Sequence, residues 1–196
     1  MKYQHGLMAS VALAVLMLAP AAQAHVISAQ GAGFGAGFAH PFTGLDHLFA
    51  MVAVGLWAAQ LGGRARWIVP LAFMSAMAVG AGLALAGIKL PAVEMGIASS
   101  VLVLGLLIAL AVRLPTAVGA FLVSAFAVFH GHAHGTELPQ AASEALYSVG
   151  FLAASGTLQA TGLTSGALCR RGLSPRWLQL TGGAIAVAGG AMWAWV

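Results

Sequence analysis

From residue 42 onward the chain is a succession of long apolar runs separated by short polar punctuation. Six runs approach the roughly 20 residues that an α-helix needs to cross a bilayer. They cover residues 42–61, 67–86, 92–112, 115–131, 144–168 and 177–195. The pattern predicts an all-α fold, a polytopic membrane helix bundle of about six transmembrane helices. Ahead of these runs, Lys2, an apolar core over residues 7–19 and the small-x-small sequence Ala22-Gln23-Ala24 have the form of a secretory signal peptide. Cleavage is expected after residue 24, leaving residues 25–196 as a single transmembrane domain that starts at His25. A terminal histidine can chelate metal through its amine and imidazole, but the plainer reading is that it merely follows the cleavage site. Between the two parts, residues 31–39 read GAGFGAGFA, with overlapping GxxxG spacings. This stretch suits either close helix packing or an irregular segment buried in protein.

Composition supports the membrane reading. Of 196 residues, 61% are hydrophobic and 6% charged, whereas soluble domains carry about 25% charged residues. The net charge of +4 does not indicate nucleic acid, because the eight bases are scattered without a basic stripe. The one cysteine, Cys169, excludes an intrachain disulfide and a cysteine-rich metal site. With the mature N-terminus outside, Arg64, Arg66, Arg113, Arg170, Arg171 and Arg176 fall in inner loops and only Lys89 lies outside, as the positive-inside rule requires. The four acids, Asp46, Glu94, Glu137 and Glu144, all fall on the outer side, with every histidine of the mature chain. A low-dielectric mouth lined by one sign of charge concentrates the opposite ion.

Two stretches carry candidate chemistry, and they are expected to meet around a single ion. HPFTGLDHLFAM, residues 40–51, brings His40, Asp46 and His47 to the mouth of an apolar run. Ionisable groups at membrane depth are costly, so each is a functional candidate. Pro41 suits the first turn of a helix and disfavours helix at His40. Asp46 would sit in the second turn, and His47 and Met51 share a face. Asp46 and His47 are about 100° apart on a helix, so they would flank one sector. Asp46 is either a ligand or the orienting partner of an imidazole on another helix. The second stretch, FHGHAHGTE over residues 129–137, holds His130, His132, His134 and Glu137. His130 and His134 share a helical face and His132 points away. Gly131 and Gly135 are expected to loosen the helix and free all three, with Pro139 ending it. Two imidazoles with a carboxylate suit a borderline divalent cation: nickel, cobalt, zinc or copper. For any of these residues alone, local capping or packing is the better explanation; their clustering favours metal.

The remaining candidates are weaker. Glu94 is as readily a helix-dipole partner or the mate of Lys89 as part of a metal path. Met51, Met74, Met77 and Met95 read as core filler. Ser155, Thr157 and Gln159 give the fifth run a polar face that ordinarily joins helices.

On these residues the chain resembles the HupE/UreJ family of nickel/cobalt permeases. The likeness is carried by HPFTGLDH, by MVAVGLWA after it, by VEMGIASSVLVLG and by FHGHAHGTE. It implies a transporter of the bacterial inner membrane importing nickel, sometimes cobalt, in connection with hydrogenase or urease maturation. The family's functional residues correspond to His40, Asp46, His47, His130, His134 and Glu137, while His132 occupies a variable position. The metal is then a transported substrate; no catalytic residue or catalytic cofactor is expected. The expected partners are a divalent transition-metal ion, the lipid bilayer and, as an open alternative, further copies of the chain. No nucleotide-binding motif is present, so energy must come from the membrane potential, an ion gradient or another subunit. The rivals are a membrane metalloenzyme built on the histidines and a metal-binding sensor or accessory subunit that moves nothing.

Overall fold

A computed structural model describes residues 32–138, 143–172 and 175–196. The expected signal peptide, His25 and Pro139 lie outside them. The described residues form seven helices: α1 (Ala32–Thr43), α2 (Leu45–Leu61), α3 (Ala65–Leu85), α4 (Val93–Ala109), α5 (Thr116–Thr136), α6 (Glu144–Gly172) and α7 (Pro175–Trp193). No strand occurs among them. Helices α3 and α5 are each long and apolar enough to cross a membrane, and α1 with α2 makes a third span if the bent pair is taken as one. Helix α4 is apolar but shorter.

The outer surface explains the hydrophobic composition. Trp67, Leu71, Phe121, Leu180 and Val187 are 62–77% exposed, an apolar coat that suits lipid rather than water. Inside, Met51, Trp57, Phe73, Met77, Leu104 and Phe151 form the buried core.

Glycine sets the helix spacing. Helix α3 packs most extensively on α5, α4 on α7, and both α2 and α1 on α6. At Gly131 an added Cβ would run into the Met77 carbonyl oxygen of α3, and at Gly55 into the Gln159 carbonyl of α6. Small residues let backbones approach to this degree. The expected loosening at Gly131 and Gly135 therefore does not occur: α5 runs unbroken through Thr136, and both glycines accommodate α3. From Ala32 onward the GAGFGAGFA stretch is likewise helical, and Gly37 of α1 lies against the backbone of Tyr147. Of its two readings, close packing is the one the fold adopts.

The start of α2 also differs from expectation. His40 and Pro41 lie within α1, and the chain breaks at Gly44 (φ −102°, ψ 119°). Stacked rings spaced four apart, Phe34 on Phe38 and Phe38 near Phe42 (6.1 and 5.7 Å), carry α1 past the proline. The Thr43 hydroxyl then donates to the His40 carbonyl at 2.7 Å. Helices α1 and α2 meet at a bend of 84°. Asp46 consequently stands in the first turn of α2, not the second.

Candidate metal centre

The bend opens a cleft of about 180 Å³ where the C-termini of α1 and α5 meet the N-termini of α2 and α4. His40, Asp46, His47, Glu94 and Glu137 line it. His40 Nε2 lies 2.9 Å from the Glu137 carboxylate, whose side chain is half exposed. The hydrogen bond from His40 holds the Glu137 carboxyl below its usual range, and the charge of His40 adds to the effect. Glu94 stands exposed at the rim, in the first turn of α4. Among the described residues no ion pair joins it to Lys89.

Below this rim three imidazoles are packed together. The His47 ring centroid lies 4.5 Å from that of His134 and 4.9 Å from that of His130, and His40 lies 4.8 Å from His134. Local structure decides which nitrogens they offer. The first turn of α2 has free backbone N–H groups, and Asp46 Oδ1 accepts the His47 N–H at 2.7 Å. The same oxygen lies 2.8 Å from His47 Nδ1. A carboxylate only accepts, so Nδ1 carries the proton and Nε2 bears the lone pair. Asp46 thus orients its own neighbour, not an imidazole on another helix. His130 is set the other way round. The Ser100 hydroxyl donates to the Ile97 carbonyl at 2.6 Å and so accepts from His130 Nε2 at 2.8 Å. That leaves His130 Nδ1 bare. His134 stacks on Phe151, with centroids 4.6 Å apart, and neither of its nitrogens has a protein partner.

His47 Nε2, His130 Nδ1 and both nitrogens of His134 are all buried without a hydrogen-bond partner. Each such atom costs about 1–3 kcal/mol, so a fold that gathers them in one place holds them for something other than its own stability. Bare imidazole nitrogens beside carboxylates are a donor set for a borderline divalent cation. The rings interleave edge to face, and among the described residues no three His, Cys, Asp or Glu side chains converge on a single point. At least one ring must turn to complete a three-donor shell. His132 is elsewhere: on the opposite face of α5, its Nε2 donates to the Ile88 carbonyl at 2.8 Å and ties down the α3–α4 connection.

Two further residues belong to the site without having been singled out. Ser100, fully buried, fixes His130. Tyr147 lies 6.0 Å from His40 between ring centroids, with its buried hydroxyl unpartnered. A serine in an apolar run and a tyrosine near a helix start carry no pattern that marks them.

The opposite end of the bundle holds a second cleft of about 210 Å³, lined by Gln60, Arg113, Cys169 and Arg170 among others. There Arg170 Nη1 donates to the carbonyls of Ala59 (2.6 Å) and Gln60 (2.9 Å) and caps α2. The Trp57 indole N–H donates to the Val112 carbonyl at 3.2 Å.

Comparison with known proteins places the sequence in a family. A family model described as HupE / UreJ protein matches residues 13–192. Protein HupE of Rhizobium leguminosarum bv. viciae is 48% identical over 180 residues, which cover 92% of this chain and 94% of that protein. No solved structure matches.

Proposed function

The chain belongs to the HupE/UreJ family, and from that premise we propose that it is a secondary transporter importing Ni²⁺, with Co²⁺ as a second cargo, across the bacterial inner membrane. In this reading the chain crosses the membrane six times, with the mature N-terminus and the histidine end facing the periplasm. The observation that carries the reading is the cluster of buried, unpartnered imidazole nitrogens from α2 and α5 at the base of an acidic cleft.

In this reading the steps are these. Asp46, Glu94 and Glu137 attract the hydrated cation to the cleft. His47 offers Nε2 and His130 offers Nδ1, each with its other nitrogen held by protein. His134 lies against both His40 and His47, so its rotation passes the ion from the rim to the base. Incomplete, exchangeable ligation binds firmly enough to select and loosely enough to release. A divalent cation moving inward gains roughly 4.6 kcal/mol per 100 mV of inside-negative potential, enough to drive accumulation without nucleotide hydrolysis. The cargo would serve hydrogenase or urease maturation.

The test is metal accumulation by cells expressing the chain or its His47→Ala form, offered nickel, cobalt and zinc separately, with flux repeated in proteoliposomes. The expected result is nickel uptake by the unaltered chain and its loss in His47→Ala. Equal accumulation by both forms overturns the site, and binding without flux makes the chain an accessory subunit instead.

A further inference from the structure

Inward of the histidines lies a second group of donors. Met51 follows His47 by one helical turn on α2. Ser155 and Gln159 follow Phe151, the residue stacked on His134, by one and two turns on α6, about 6 and 12 Å further from the cleft. Met77 of α3 abuts Gly131, next to His130. Met51, Met77 and Ser155 are fully buried and Gln159 is 2% exposed. They form two pairs, joined by Ser155 and Gln159 one turn apart on the same face of α6: Gln159 Nε2 is 3.8 Å from Met51 Sδ, and Ser155 Oγ is 3.9 Å from Met77 Sδ. Gln159 Oε1 is buried with no partner.

Thioethers are weak hydrogen-bond acceptors, and a packing role would be better served by leucine, which leaves no amide oxygen bare. As a donor set the group is coherent. It offers two soft sulfurs, an amide oxygen and a hydroxyl, all uncharged. Such ligands take a borderline cation such as nickel or cobalt but compete poorly with water for Mg²⁺ or Ca²⁺. They also hold it less tightly than imidazole beside carboxylate, which a downstream station requires. Beyond Met51 the path is closed by fully buried Val54, Trp57 and Ala58. Gln60, in the opposite cleft, lies about 13 Å further along α2.

We propose that Met51, Met77, Ser155 and Gln159 form a second, weaker station, which takes the permeating cation from the histidines and filters it by softness. The proposal rests on the transport reading above. The test measures Ni²⁺ binding to the detergent-solubilised full chain by equilibrium dialysis, and Ni²⁺ flux into dye-loaded proteoliposomes with Mg²⁺ in excess. It compares the unaltered chain with Gln159→Leu, Met51→Leu/Met77→Leu and His47→Ala. Leucine for methionine keeps volume closely enough to preserve the core. The expected result is nickel bound within about twofold of the unaltered chain in the Gln159 and methionine variants, with flux down about tenfold or more, the order of a disturbed metal shell. Gln159→Leu should also melt no lower than the unaltered chain, a split that a packing role would not produce. His47→Ala should lose both binding and flux.

Normal flux in the Gln159 and methionine variants overturns the second station while leaving the transport reading intact. Absent flux in the unaltered chain, or normal flux in His47→Ala, overturns the transport reading and the station with it. If the double variant loses binding too, Met51→Leu and Met77→Leu are measured singly; loss of binding in both makes the methionines core packing and ends the proposal.

Discussion

The two ends of the bundle treat their polar groups in opposite ways. At the histidine end, five ring nitrogens are buried with nothing to bond to, four in the cluster and the fifth, Nδ1, on His132. At the arginine end, Arg170 is committed to two carbonyls at the C-terminus of α2, and Trp57 to a third on Val112. The histidine end keeps most of its polar atoms in reserve at a cost in stability, whereas the arginine end, where Gln60 Oε1 is also left bare, uses its donors chiefly to hold helix ends. Stability and ligand binding should therefore separate along the bundle axis, and substitutions at the two ends should have opposite signatures.

The largest effect is expected at His134. Leucine there should weaken nickel binding by more than the 10–100-fold typical of an outer-shell change. The metal-free melting temperature should hold or rise, because two unpaired buried nitrogens are removed at about 1–3 kcal/mol each. Calorimetric titration with nickel and a metal-free melt check both halves; a lower melting point with unchanged affinity would erase the contrast between the ends. Arg170→Met should do the reverse. It should destabilise the chain by about 1–3 kcal/mol and leave nickel affinity within about twofold, since no donor of the histidine cluster is touched. Denaturant melts and dialysis decide, and an affinity loss as large as that at His134 would show the ends to be coupled.

Asp46→Asn sharpens the comparison within the histidine end. The amide can present N–H to His47 Nδ1 and favour the wrong tautomer, so affinity should fall about 10–100-fold with the fold intact. Unchanged affinity would remove Asp46 from the site. The smallest effect belongs to Glu137. Its folded-state pKa is depressed, so its contribution is present at neutral pH and is lost as pH falls through that lowered value. The group is half exposed, which limits the contribution to about 0.5 kcal/mol. Glu137→Gln should flatten the acid limb of a melting-temperature profile by that amount; an unaltered limb would show that the pair contributes nothing.

Much of this was legible in the sequence, and the exceptions have physical reasons. Helical class followed from the apolar runs, and the shared face of His130 and His134 from their spacing of four. That the stretch holding His47 meets the one holding His130 and His134 was expected from their clustering of ionisable groups, but not which ring nitrogens would face each other. Asp46 and His47 were expected to diverge because helical neighbours do. They meet because a short carboxylate in a first turn folds back onto an N–H that has no helical partner. Gly131 and Gly135 read as helix breakers because local propensity ignores what packs against them; with α3 alongside, they are what lets α5 stay straight and close. Pro41 read as a helix start, yet α1 runs past it, with Phe34, Phe38 and Phe42 in ring contact along one face, and the break falls at Gly44. Ser100 was invisible because its role depends on a residue 30 positions away.

The contact between His40 and Glu137 is a weak latch across the mouth of the cleft. A partly solvated pair of this kind is worth at most about 1 kcal/mol, less than twice thermal energy. Swinging the His40 ring aside is therefore nearly free, so the mouth of the cleft opens at little cost. If the chain transports metal as proposed, the resistance to passage belongs deeper, where the walls are apolar and the backbones touch.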